Sequence, residues 1–139
     1  MSATRLYTPE VLALATSLAD FPWDENLSLK AEARSKSCGS TIRIALATNE
    51  AGLVDRIAVK SQACAIGQAS AAIFASAAPG LALAEIQSAG QAIADWLAGK
   101  GQMPDWPGLE TIEAARDFPA RHGAILLAWQ AASRLLPIG

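Results

Sequence analysis

The feature that most restricts what this chain can fold into is a change of hydrophobic period partway along it. Leu27, Leu29, Ala31 and Ala33 alternate with Ser28, Lys30, Glu32 and Arg34, and Ile42, Ile44 and Leu46 repeat the pattern against Thr41, Arg43 and Ala45. A period of two sends one set of side chains to each face of a pleated strand, so these segments read as half-buried strands. Asn49-Glu50-Ala51-Gly52 reads as a hairpin turn, with Gly52 able to take a positive φ. Leu53 to Lys60 gives a third strand, with Leu53, Ile57 and Val59 on one face. Three strands joined by short turns form an antiparallel meander.

On either side the period is helical. Thr8-Pro9 combines a capping hydroxyl with proline at the first helical position, and Val11, Leu14 and Leu18 follow, so Pro9 to Ala19 is predicted as a helix ended by Phe21-Pro22-Trp23-Asp24. Beyond the strands, Ala63 to Ala77 puts Ile66, Ser70, Ile73, Phe74 and Ala77 on one side. Leu83, Ile86, Gly90, Ile93 and Leu97 form a second stripe, predicting a helix from Leu81 to Ala98 that stops before Gly99. Gly101 to Gly108 holds two prolines and two glycines and is read as a loop. A short helix from Leu109 to Asp117 and a last one from Arg121 to Leu135 complete the pattern. The expected architecture is α+β: a small three-stranded antiparallel meander with helices packed on one face, in a single domain spanning 1–139.

Composition closes off several classes. Hydrophobic residues make up 52% and charged ones 17%, enough apolar material for a packed core. A formal charge of −2 supplies no overall basic field for a phosphate backbone, so nucleic acid is not expected as a partner. Ser61 to Ala84 carries no charge, but it is mostly alanine and is interrupted by Gln62, Gln68, Pro79 and Gly80, whereas a spanning helix wants about 20 strongly apolar residues. No membrane span is expected. Met1 to Leu6 lacks a basic segment leading into an apolar core, which points to a cytoplasmic chain without a secretory signal.

The two cysteines, Cys38 and Cys64, are then expected as reduced thiols rather than a bridge. Cys38-Gly39-Ser40 sits in the turn between the first two strands, where glycine lets the backbone bend and exposes the thiol. Cys64 sits where the third strand ends and a helix begins. The free N–H groups and partial positive charge of a helix start favour the thiolate, the form that binds metal and attacks electrophiles. The alternative for either residue is an inert thiol, buried in the case of Cys64. A meander brings its two ends together, so Cys38 and Cys64 are expected close enough to share one metal ion. His122, the only histidine, is a third candidate ligand; the alternative is an exposed side chain at a helix start. Trp96 and Trp129 are expected in core or edge packing, whereas Trp106, in the Pro/Gly loop, would mark a partner contact if exposed. Asp24 and Glu25 are read as a solvated loop ahead of the first strand.

Ala63-Cys64-Ala65-Ile66-Gly67-Gln68-Ala69-Ser70-Ala71 resembles the second-cysteine motif of the NifU N-terminal, IscU and SufU family of iron–sulfur cluster assembly scaffolds. Cys38-Gly39 is similar to the first-cysteine motif, Tyr7-Thr8-Pro9-Glu10-Val11-Leu12 to the opening helix, and the run from Arg121 to Trp129 to the stretch with the third cysteine. The long segment between Cys64 and Ala124 resembles the insertion of the SufU branch. The chain departs from the pattern where the third cysteine falls on Ala124, where Ser40 replaces an aspartate, and where Gly123 replaces the histidine of the housekeeping branch. The resemblance implies a non-enzymatic carrier, either of a transient iron–sulfur cluster or, as in the SufU branch, of zinc at a site that accepts sulfur from a cysteine desulfurase. Cys38 and Cys64 would hold the cofactor, His122 would join them on a metal, and apo-proteins would be the acceptors. Because both chemistries normally use three cysteines, the site of a monomer is expected to bind weakly or to be empty, and a homodimer pairing two sites is one way to complete four ligands. The second reading is a degenerate relative that keeps the fold as a protein-interaction module.

Overall fold

The structure is a computed structural model that describes residues 6–36 and 39–135. Strands β1 (Leu29–Arg34), β2 (Thr41–Thr48) and β3 (Val54–Gln62) form the expected meander, antiparallel throughout and in the order β1-β2-β3. Its register sets Ala33 against Ile42, and Ile44 against Val59. These residues and Leu46 are buried on the face that the helices cover. The Asn49 side chain holds the hairpin by accepting from the N–H groups of Ala51 and Leu53, at 3.0 and 3.1 Å, and Gly52 has φ +81°.

Two inward assignments fail. A register shift between Ala47 and Thr48 turns Val54, rather than Leu53, into the core with Val59. Leu27 does not continue the face of Leu29; it is buried on the opposite side of the sheet with Ala45 and Ala58, beneath Trp23 and Ala47. The cause is a turn, closed by Leu27 N–H donating to the Asp24 carbonyl at 3.3 Å, which breaks the alternation before the strand begins.

Helix α1 (Pro9–Ser17) starts as its sequence dictates, the Thr8 hydroxyl accepting from Val11 N–H at 3.1 Å, and ends in a 3-10 turn at Leu18–Asp20. Helices α2 (Ala65–Ala77), α3 (Leu83–Leu97) and α4 (Pro119–Ser133) follow. Glu85 caps α3 by accepting from Ala82 N–H at 2.9 Å. Ile86, Ile93 and Leu97 are buried as their stripe requires. The segment Leu109–Asp117 is a 3-10 helix rather than an α-helix, kinked at Ile112, whose φ and ψ of −108° and 19° leave the helical region. Helices α2 and α4 lie against the sheet and each other, α1 packs on α2, and α3 packs on α4. Among the described residues no helix is long and apolar enough to cross a membrane.

The centre of the core is aromatic. Trp129 meets Phe74 and Trp106 edge-on, with centroids 5.3 and 5.2 Å away, while Trp106 stacks parallel to Phe74 at 6.0 Å. Trp106 is thus core, not a surface contact: it is 6% exposed and its indole N–H donates to the Ile73 carbonyl at 2.9 Å. The loop folds back because an indole that finds an acceptor under cover gains more from burial than from display. Trp96 and Trp129 are buried as expected. Helices α3 and α4 cross closely at Gly90, where an added Cβ would lie 2.8 Å from Trp129 Cβ.

Candidate functional site

Thr41 pairs with both Arg34 and Gln62, so the β1–β2 turn and the exit of β3 lie at the same end of the sheet. The turn is closed by backbone hydrogen bonds from Ser35 N–H to the Ser40 carbonyl, 2.8 Å, and from Gly39 N–H to the Ser35 carbonyl, 3.1 Å. Gly39 has φ +70°, a conformation that glycine adopts without steric cost. Cys38 itself lies outside the described residues.

Two residues beyond Gln62, Cys64 is the N-cap of α2. Its extended backbone, φ −65° and ψ 171°, turns the chain from strand into helix, and its carbonyl accepts the first helical hydrogen bond, from Gln68 N–H at 2.9 Å. The side chain is a free thiol, half-buried against the core, and makes no capping hydrogen bond. The first-turn N–H groups of a helix therefore lie beside a sulfur that the fold leaves uncommitted.

Ala124 belongs to the same end. A Cβ placed on Gly67, one turn into α2, would come within 3.3 Å of Ala124 Cβ and 2.8 Å of Ala63 Cβ. Gly67 is what allows the start of α4 to press on α2 here, and it brings the buried Ala124 to the turn of helix that Cys64 opens. Gly123 lines a groove with Arg34, Ser35 and Lys36, so the β1–β2 turn and the start of α4 share that groove.

His122 is placed differently. Its Nε2 lies 2.8 Å from the Arg116 carbonyl oxygen, which can only accept, so this nitrogen carries the hydrogen and ties α4 to the end of the preceding 3-10 helix. Two residues from Ala124, it points about 200° away around the helix. The structure brings Ala124 against the first turn of α2, at Gly67, and commits the Nε2 of His122 to Arg116. Asp24 and Glu25 are also remote, in ion pairs with Arg56 and Lys30 toward the other end of the sheet. Glu25 accepts from the Trp23 indole at 2.6 Å and from Lys30 at 3.0 Å, and these two bonds, with the Lys30 charge, hold its carboxyl below the ordinary range. Among the described residues no group of three or more His, Cys, Asp or Glu side chains is gathered as a metal site.

No family model matches the sequence, and no curated protein matches it. Solved structures do. The N-terminal part of a nitrogen-fixing NifU-like protein from Brucella abortus superimposes with a TM-score of 0.85 at 28% identity, over 97% of this chain and 94% of that one. A protein from Fervidobacterium islandicum AW-1, named as an iron–sulfur cluster assembly scaffold for the SUF system, superimposes at 0.82 with 20% identity, over 95% of this chain and 97% of that one. The likeness carried in the sequence by the Cys64 motif extends to the meander, the helices on its one face and the long α3 segment, and in fold the chain is of the NifU N-terminal and SufU type.

Proposed function

We propose that this chain is a carrier in iron–sulfur cluster assembly, working through Cys64 together with Cys38, and that it hands on sulfur or metal rather than turning over a substrate. The observation that carries the reading is the setting of Cys64: a free, half-buried thiol at the start of α2, at the sheet end that also bears the β1–β2 turn. In this reading a thiolate there attacks the terminal sulfur of a persulfide presented by a cysteine desulfurase. The new S–S bond forms on Cys64, the donor's S–S bond breaks, and the donor leaves as a thiolate. Zinc or iron bound by Cys38 and Cys64 is the alternative cargo, since soft thiolates suit both metals. The Nε2–H of His122 is held by the Arg116 carbonyl, so only its Nδ1 could serve such a set, and Cys38 and Cys64 are its two thiolates. Apo-proteins are the acceptors in this reading, and the chain is cytoplasmic.

The test is intact-mass analysis after incubation with a cysteine desulfurase and cysteine. A gain of one sulfur on the native chain, lost in Cys64→Ala, supports the proposal. The second reading, a degenerate interaction module, draws on the alanine that stands at position 124, beside the first turn of α2, in place of a third thiol; it predicts no sulfur gain by any variant.

A further inference from the structure

The outer face of the sheet divides into two halves with different electrostatics. The half remote from Cys64 is covered by the segment carrying Trp23 and Leu27, and its cations are paired, Lys30 with Glu25 at 3.0 Å and Arg56 with Asp24 at 3.4 Å. Among the described residues, nothing covers the half next to Cys64 in that way. The register places Arg34, Thr41 and Gln62 in its last row and Glu32, Arg43 and Lys60 in the next, with Arg34, Arg43, Lys60 and Gln62 all exposed. Around the edge of β1, Lys36 and Arg134 line the same groove as Arg34. Among the described residues, none of Arg34, Lys36, Arg43, Lys60 and Arg134 is in an ion pair, and Glu32 is the one acidic side chain in these rows. Arg43 rests on the Trp23 ring at 4.7 Å, a contact that keeps its charge at the surface.

We infer that this exposed half of the sheet is a docking face for an acidic segment of a partner protein, which it seats beside Cys64. Five cations face Glu32, with Glu25 near enough to Arg43 to feel its charge, and on a chain whose formal charge is −2 this excess makes a local field opposite in sign to the whole molecule. Such a patch selects and orients an acidic protein surface. The net negative charge works against long polyanions such as nucleic acid, whose many phosphates would also meet the acidic remainder of the surface. The position beside Cys64 as the place where cargo is exchanged rests on the function proposed above; the docking itself does not.

The experiment is fluorescence anisotropy of a labelled deca-glutamate peptide with the full chain, at low and at physiological salt, alongside NMR amide mapping. Binding should weaken steeply with salt and perturb the amides of Arg34, Arg43 and Lys60. The double variant Arg34→Glu, Lys60→Glu should lose about tenfold or more in affinity. Arg56→Glu with Lys100→Glu, the same change in net charge farther from the patch, should change it by less than about twofold. Cys64→Ala should bind the peptide as the native chain does, so a failure of the thiol chemistry and a failure of the docking face read out separately. Equal losses in the two double variants, no peptide binding, or tighter binding to single-stranded DNA or to phosphatidylserine vesicles would each overturn the inference.

Discussion

Replacing Gly90 by alanine adds a methyl group in the middle of α3 and should destabilise the protein, against the usual direction of that change. In an exposed helix interior, alanine is favoured over glycine by about 1 kcal/mol. Here the added Cβ would lie 2.8 Å from Trp129 Cβ, 3.3 Å from Cγ and 3.4 Å from Cδ1. Trp129 has little freedom to move, since its ring is buried against both Phe74 and Trp106. Relief must come from separating α3 and α4, and overpacking of this kind costs about 1–3 kcal/mol. Subtracting the propensity gain leaves a net loss of about 1 kcal/mol, which for a chain of this size lowers Tm by about 4 °C. Gly101→Ala is the matched control, because its added Cβ has nothing within 4 Å and its φ is not positive. That variant should be neutral or more stable by about 0.5 kcal/mol. Urea and thermal unfolding of both variants supply the measurement. A Gly90→Ala protein about 1 kcal/mol more stable than native would refute the close crossing of α3 and α4.

Three further outcomes are expected. Ser70→Ala should cost about 1–2 kcal/mol in urea unfolding, because the buried Ser70 hydroxyl donates to the Ile125 carbonyl at 2.7 Å and ties α2 to α4. The Trp23 indole N–H resonance should titrate with a midpoint below the ordinary glutamate value of 4.5 and lose that titration in Glu25→Gln; the folded-state pKa is depressed, so this tie is present above the ordinary value and is lost as the pH falls through the lowered one. Ala124→Cys should bind zinc more tightly than the native chain in a competition assay with a chromogenic chelator, because its Cβ faces the turn of α2 that follows Cys64.

The meander was legible because alternation is a local signal: Ile42, Ile44 and Leu46 declare one face within a single strand. The α3 stripe was legible for the same reason at helical period. Leu27 was assigned to the wrong face because its alternation continues on paper through a turn that only the Asp24 hydrogen bond reveals. Trp106 gave no local sign of burial, since its acceptor on Ile73 is 33 residues away in sequence. At the site, the strand-to-helix junction at Cys64 could be read directly. The engagement of His122 could not, because it depends on where the preceding 3-10 helix ends. The cation cluster was equally hidden: Arg34, Arg43 and Lys60 are scattered in sequence and meet only through strand register.

Metal stoichiometry tests the central claim most directly. The native chain, Cys64→Ala and Cys38→Ala are each reconstituted without oxygen with zinc, and separately with iron and sulfide, then desalted and counted for bound metal and sulfide. Two thiolates fall short of the four soft ligands that a two-iron cluster takes. The account therefore predicts weak, substoichiometric metal on the native monomer, less on either cysteine variant, and no air-stable cluster. Equal metal on the native and Cys64→Ala proteins, or a full stable cluster on a native monomer, would contradict it.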